Sequence, residues 1–232
     1  MISVPVEIEL DDGRFLQSLA DVTVVAMPKR GWGRYLAIQK ALQTSASHIH
    51  YADLDGLVHW IEVQSHEWQE TMEMIQNADC LVIGRTEKAM KTRPQAIQQT
   101  ERTINLIGSY LLSQSVDLGA GNRGFSRKAA QFLIDHSSPG RWGDAEWPIM
   151  LHRAGFSVEY LAVDGLTWET PDRYQERAAD SETQLRAAKA YDLDGENWAY
   201  RTRIALDIIK QGIEIGRHSS AKITEQQCPT PQ

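Results

Sequence analysis

Short apolar runs alternate with stretches of helical periodicity along the first third of the chain. Residues 4–10 alternate apolar and acidic side chains, which is typical of a strand, and the turn signal Asp11-Asp12-Gly13 ends the pattern. Further apolar runs predict strands over 22–27, 48–53 and 80–83. Apolar residues at helical spacing predict helices over 35–42, 57–63 and 65–75. This alternation indicates an α/β layered fold with mainly parallel strands.

The rest of the chain is less regular and richer in predicted helix. Its periodicity predicts helices over 95–112, 126–134, 180–190 and 197–215, and a strand over 157–163. A glycine-rich loop is expected over 117–124, and a polar loop over 141–147 runs into a helix that ends at Gly155. From Arg217 onward the sequence is polar and contains two prolines, which predicts a disordered tail.

Composition narrows the class of partner. The 232 residues are 42% hydrophobic and 24% charged, which is ordinary for a globular chain. The net charge of -7 disfavours nucleic acid and anionic membrane as main partners, because both bind basic surfaces. Cys80 lies in an apolar run and Cys228 in a polar tail, so a disulfide framework is not expected. With no signal-peptide pattern and no stretch suited to a bilayer, we predict a soluble cytoplasmic protein without an integral membrane segment.

Residues 48–56 place metal-capable side chains close together at the end of an apolar strand. His48 and His50 share one strand face, and Asp53 and Asp55 follow where the strand ends. Two carboxylates at the carboxyl end of a strand in an α/β sheet suit a hard cation, Mg²⁺ or Mn²⁺, together with substrate phosphates. Histidine ligands would favour zinc instead. The Asp-x-Asp pattern alone is weak evidence for a metal site. Its position at the end of an apolar strand is what favours a ligand site there.

The order of these features resembles family 2 glycosyltransferases of the nucleotide-diphospho-sugar (GT-A) fold, nearest the polyprenyl-phosphate sugar transferase group. The stretches that carry the resemblance are 7–13, 29–34, 49–55, 78–85, 117–127 and 144–146. They are similar, in order, to the family's Asp-Asp-Gly turn, glycine-rich turn, Asp-x-Asp strand, next core strand, acceptor-side loop and catalytic acidic residue. The family's opening strand, which ends in Pro-x-x-Asn-Glu, has no counterpart here, so the chain is expected to begin at the second strand.

The resemblance implies a fold and a division of the chain. We expect one GT-A-like sandwich domain over 1–216, with a central mostly parallel sheet flanked by helices and a helical C-terminus. Within it, 1–86 is the expected nucleotide-binding half, 87–175 the acceptor half and 176–216 the C-terminal helices. The expected disordered tail is 217–232.

The resemblance also implies a reaction, which is sugar transfer from a nucleotide-diphosphate sugar to an acceptor hydroxyl with inversion at the anomeric carbon. A metal on Asp53 and Asp55 would bind the diphosphate and neutralise the leaving group. Asp144 is the expected general base, with Glu146 as the second candidate. The residues expected to hold the donor are Asp11, Asp12, Lys29, Arg34 and Arg85. The acceptor stays open, although the lack of membrane helices disfavours a lipid.

Two other functions compete with the transferase. A metal-dependent hydrolase would use His48, His50 and Asp53, but Ala52 and Leu54 break the known His-x-His-x-Asp-His pattern. A non-catalytic relative would bind the nucleotide sugar without turning it over. Zinc with a bound hydroxide would favour the hydrolase, and nucleotide binding without turnover would favour the relative.

Overall fold

The computed structural model describes residues 1–5, 10–29, 31–169 and 180–225. The strands are β1 Ile2–Pro5, β2 Val24–Met27, β3 His48–Tyr51, β4 Cys80–Arg85, β5 Asn122–Ser126 and β6 Val158–Val163. The helices are α1 Leu10–Ser18, α2 Gly33–Ala41, α3 Leu54–Met74, α4 Glu87–Met90, α5 Gln95–Leu112, α6 Arg127–His136, α7 Glu146–Arg153, α8 Ser181–Asp192 and α9 Gly195–Glu225. Short 3₁₀ helices lie at Ile75–Asn77 and Leu118–Ala120.

The strands form two sheets, and the larger one is mixed. Its order is β3-β5-β4-β6, with β5 antiparallel to both neighbours and β4 parallel to β6. Strands β1 and β2 pair in parallel as a separate sheet, and helix α2 packs against both of them and against β3. The α/β prediction is confirmed. The prediction of a mostly parallel sheet is wrong, because β5 runs against both of its partners.

Strand β5 arises from a stretch that the sequence predicts as a glycine-rich loop. Its residues Asn122 to Phe125 are buried at the centre of the sheet. Gly124 is required there, since a Cβ would lie 2.5 Å from Cγ1 of Ile75. The glycine that favours a loop in isolation instead lets the Ile75 side chain pack onto the sheet.

The N-terminal prediction also changes. Instead of one strand over 4–10, β1 ends at Pro5 and α1 begins at Leu10, with residues 6–9 outside the described part of the chain. Asp11, Asp12 and Gly13 therefore lie in the first turn of a helix and do not form the expected turn between strands.

The other early elements match the sequence. Strands β2, β3 and β4 fall inside or over the predicted apolar runs. The two helices predicted over 57–63 and 65–75 form one helix, α3, which is kinked at Gln64 with φ -148° and ψ 55°. The kink lies between the two predicted helices, so the break in periodicity marks a real backbone feature.

The core lies on both faces of the larger sheet. In β4, Cys80 and Val82 face a large cluster formed with α5, α6, α7 and α9, while Leu81 and Ile83 face a smaller cluster around Trp60. This alternation follows from the two-residue period of a strand, and burial on both faces explains the continuous apolar run. All six residues of β4 are buried.

Helix α9 covers one side of the molecule and packs against α5 and α7. It continues to Glu225, past position 217 where the sequence predicts a disordered tail, and residues 226–232 lie outside the described part. No helix in the described ranges combines the length and hydropathy needed to cross a bilayer.

Candidate functional site

A cavity of about 240 Å³ opens at the edge of the sheet where β3 and β4 end and β5 begins. Among the residues that the sequence assigns to the site, Arg34, Asp53, Asp55 and Asp144 line it. Arg34 comes from α2, and Asp53 lies in the β3–α3 connection. Asp55 lies in the first turn of α3, and Asp144 lies just before α7. The fold therefore brings the predicted metal-binding pair and the predicted base to one cavity, as expected for ligand sites at strand ends.

Arg34 contacts both the predicted metal ligand Asp53 and the predicted base Asp144. Its Nη1 donates to Oδ2 of Asp144 at 2.5 Å and to the backbone oxygen of Trp142 at 2.7 Å. Its Nη2 donates to Oδ2 of Asp53 at 3.1 Å. One guanidinium thus pairs with two carboxylates from distant parts of the chain. The carboxylates raise the pKa of Arg34 against the lowering effect of burial, so it stays charged.

Asp144 is a buried carboxylate that pairs with Arg34, and Arg123 lies close enough to act on its charge. Burial raises its pKa, although Arg34 and Arg123 oppose that shift. The N-cap residue of α7 is Ala145, so Asp144 lies one residue before the cap. Arg123 donates to the backbone oxygen of Asp144 at 3.0 Å and holds this segment in place. A carboxylate with a raised pKa is a better proton acceptor than an ordinary aspartate.

Asp53 precedes α3 without capping it by its side chain. Its Oδ1 instead accepts a hydrogen bond from the Tyr51 hydroxyl at 2.8 Å. Gly121, at φ +68°, passes so close that a Cβ there would lie 2.6 Å from Oδ2 of Asp53. Asp55 lies in the first turn of α3, and its pKa is raised by burial and by the nearby Glu169. Tyr51 and Gly121 therefore fix the position of the Asp53 carboxylate, which does not bond to the helix N-terminus.

The two carboxylates fit a hard cation but do not make a complete protein cage. Asp53 and Asp55 line the same cavity, and Mg²⁺ typically takes one or two protein carboxylates, with water and phosphate as its other ligands. In the described part of the chain, no cluster of three His, Cys, Asp or Glu residues could hold a metal. Neither His48 nor His50 lines the cavity, and burial lowers the pKa of His50 to about 4.

Glu146 and Lys29 are not among the residues that line the cavity. Glu146 is buried and paired with Arg141 at 2.7 Å, and its pKa is raised by burial. Lys29 is exposed beside the Trp32 ring. Asp11 and Asp12 lie in α1, and their side chains fall outside the described part of the structure.

Arg85 lies in the core behind the cavity and not on its wall. Its Nε donates to Oδ2 of Asp117 at 2.7 Å, and its Nη2 lies 2.5 Å from Oε2 of Glu101. Burial alone would raise the pKa of Asp117, but Arg85 and the surrounding donors outweigh it and hold that pKa below its usual range. Arg85 therefore supports a wall residue, Glu101, from behind.

Four charged residues on the cavity wall were not singled out from the sequence. They form two ion pairs, Arg201 with Glu101 and Arg93 with Glu169. The signal for Glu101 was present, because it lies on the buried face of α5 with Ile97, Ile104 and Gly108. A charged residue at helical spacing among apolar ones predicts a buried partner.

Comparisons with protein-family models, with curated proteins and with solved structures find no match to this chain.

Proposed function

We propose that this chain is a glycosyltransferase with a GT-A-like fold, which transfers a sugar from a nucleotide-diphosphate sugar to an acceptor hydroxyl. The observation that carries the proposal is the convergence of Asp53, Asp55 and Asp144 on one cavity, with Arg34 joining Asp53 to Asp144. A carboxylate pair that could hold a cation, next to a buried candidate base, supports transfer from a diphosphate leaving group.

In the proposed reaction, Asp144 takes the proton of the acceptor hydroxyl. The hydroxyl oxygen forms a bond to the anomeric carbon as the bond from that carbon to the diphosphate oxygen breaks. The nucleoside diphosphate leaves with the electron pair of the broken bond, and attack from the opposite face inverts the anomeric centre. Burial of Asp144 supports this role, because a raised pKa makes the carboxylate more basic.

The leaving diphosphate needs positive charge near Asp53. Mg²⁺ or Mn²⁺ held by Asp53 and Asp55 would supply charge that stabilises the leaving group. Arg34 already lies between Asp53 and Asp144, and its fork of donors also suits phosphate oxygens. We expect Arg34 to exchange part of its contact with Asp53 for the diphosphate. The nucleoside would lie outside the cavity, which is smaller than sites for drug-sized ligands.

Two features of the chain agree with a cytoplasmic enzyme that acts on soluble substrates. The net charge is -7, and Cys80 is a free buried thiol. Free thiols are typical of reducing compartments.

The test is thermal unfolding with UDP, GDP and dTDP, each with and without Mn²⁺. A ligand that binds only the folded state raises the melting temperature. We expect a metal-dependent increase with one nucleotide, and loss of that increase in Asp53→Asn/Asp55→Asn. The control is Asp192→Asn/Asp194→Asn, which alters the same Asp-x-Asp spacing away from the cavity and should keep the increase.

Each other outcome has a meaning. No increase with any nucleotide would refute the transferase. An increase without sugar transfer from the matching nucleotide sugar would favour a non-catalytic binding protein. An increase with zinc alone would favour the hydrolase.

A further inference from the structure

The part of the cavity wall formed by Arg93, Glu169, Glu101 and Arg201 has no role in the proposed chemistry. Glu101 belongs to α5, Arg201 belongs to α9, and the other two lie in connections after α4 and β6. Arg93 and Glu169 are paired at 3.2 Å, with both side chains largely buried. We refer to these four residues as the paired wall.

The paired wall offers hydrogen-bond donors that the protein leaves unused. The Nε atoms of Arg93 and Arg201 are buried and have no hydrogen-bond partner within the described residues. Buried donors without a partner are rare. These two atoms have no accessible surface, so a ligand would contact the exposed part of each side chain, which is 12% of Arg93 and 22% of Arg201. Each arginine uses Nη2 for its carboxylate, so an entering group can accept from the rest of the guanidinium.

The charge on the wall disfavours an anionic ligand. Five carboxylates and three guanidinium groups from the described residues line the cavity. Arg93 and Arg201 are each paired with a carboxylate, so this part of the wall offers an anion no unpaired positive charge. A hydroxyl group both donates and accepts, and it can bond to the arginine and the carboxylate of one pair together.

The size and covering of the cavity limit the ligand further. About 240 Å³ is below the range of sites that enclose drug-sized ligands. Helix α9 contributes Ile204, Ala205 and Ile208 to the wall, and Trp142 lies beside them on the lining. Such a surface suits the C–H face of a single small ring. A long-chain lipid would need an apolar channel, and most of this wall is polar.

We propose that the paired wall binds the acceptor and that the acceptor is a small, neutral, polyhydroxylated molecule of about one sugar ring. This inference rests on the proposed function, because it places the acceptor hydroxyl in the cavity that contains Asp144. It commits to a free polyol, and not to a hydroxy acid, a sugar phosphate or a polyprenyl phosphate.

The test is methyl NMR of the full chain with ¹³C-labelled isoleucine δ1 groups. Ile104, Ile204 and Ile208 line the cavity, while Ile75 and Ile83 lie in the smaller core cluster. The probes are glucose, mannose and inositol as neutral polyols, and glycerate and inorganic phosphate as anions. We expect one or more polyols to shift the three cavity methyls in a saturable way and to leave the two control methyls unchanged.

Two wall variants test whether the paired wall binds the probe. Glu169→Gln keeps the size of the side chain, and Arg201→Gln removes the charge contributed by α9. Each should weaken polyol binding by about ten- to a hundred-fold, which corresponds to the loss of one hydrogen bond to a charged group. Arg102→Gln, at an exposed pair outside the cavity, is the matched control and should bind as the wild type does.

Three results would overturn the inference. The cavity methyls could respond only to glycerate or phosphate, they could respond to no probe, or Glu169→Gln and Arg201→Gln could bind the polyol as tightly as Arg102→Gln. Failure of the proposed function is distinguishable, because nucleotide binding is measured separately by thermal unfolding. A nucleotide-induced increase in melting temperature without a polyol response would refute only the acceptor site.

Discussion

The buried ion pairs of Arg85 allow a quantitative test of how the core supports the cavity. The side chain is fully buried and contacts Asp117 and Glu101. Arg85→Met keeps an unbranched side chain but removes the cation from two buried carboxylates. Breaking a buried pair by removing one partner costs about 3–5 kcal/mol. Since domains unfold with about 5–15 kcal/mol, the variant should fold but lose a large share of its stability.

The cost should depend on pH in a defined direction. In the wild type the pKa of Asp117 is held below its unfolded value, so its contribution to the free energy of unfolding is present above about pH 4 and is lost as the pH falls through the folded value. Without Arg85, burial raises that pKa above the unfolded value, and the charged carboxylate then destabilises the fold at neutral pH. The difference between wild type and variant should therefore be largest near pH 7 and smaller near pH 4.5.

The assay is urea denaturation followed by far-UV circular dichroism at both pH values. With a denaturant slope of about 3 kcal/mol/M, the midpoint at pH 7 should fall by about 1–1.5 M. The control is Arg102→Met, because Arg102 pairs with Glu87 at 2.9 Å with its side chain 45% exposed. That change should cost less than about 1 kcal/mol. Equal midpoints for the two variants, or a difference that grows as the pH falls, would refute the reasoning.

Three further predictions concern the cavity and the core. Asp144→Asn should lower turnover by about 10²–10⁴-fold and leave nucleotide binding unchanged. Because burial raises the pKa of Asp144, the wild-type rate should fall on the acid side at a pH above the usual aspartate pKa. An unchanged rate in the variant would exclude Asp144 as the base. Gly121→Ala should abolish the metal-dependent nucleotide effect by displacing Asp53, whereas Gly155→Ala, at φ +84° in open space, controls for backbone strain alone. In a Cys228→Ser background, iodoacetamide should modify Cys80 only after unfolding, because burial raises its pKa to about 12; rapid labelling of the native protein at pH 8 would contradict the packing.

Local patterns predicted the elements whose burial follows a simple period. The apolar runs at β2, β3 and β4 and the break in α3 at Gln64 are visible in the sequence because each depends on neighbouring residues. Motif order and position at strand ends singled out Arg34, Asp53, Asp55 and Asp144, and these four residues line one cavity. Their roles stay predictions.

Features that depend on distant residues were missed. The sequence of strand β5 predicts a loop because a glycine such as Gly124 weakens a strand locally. The close approach of Ile75 explains why glycine is needed at this position. Arg85 reads as a phosphate ligand until Asp117 and Glu101 are found beside it. The sequence does not distinguish an arginine that lines a cavity from one buried behind it, because the difference depends on which carboxylates lie beside it in the fold.

The ion pairs of the cavity also bear on how the protein folds. Arg34 and Asp144 are 110 residues apart in sequence, and Arg201 and Glu101 are 100 apart. Contacts that close such long loops form slowly, because the chain loses entropy before they stabilise it. We expect the cavity to be assembled late, after local helices and the β3–β5–β4 pairing. Neither the 1–86 half nor the 87–216 part contains the whole cavity, and the β3-β5-β4-β6 sheet takes strands from both, so neither fragment is expected to form the site alone.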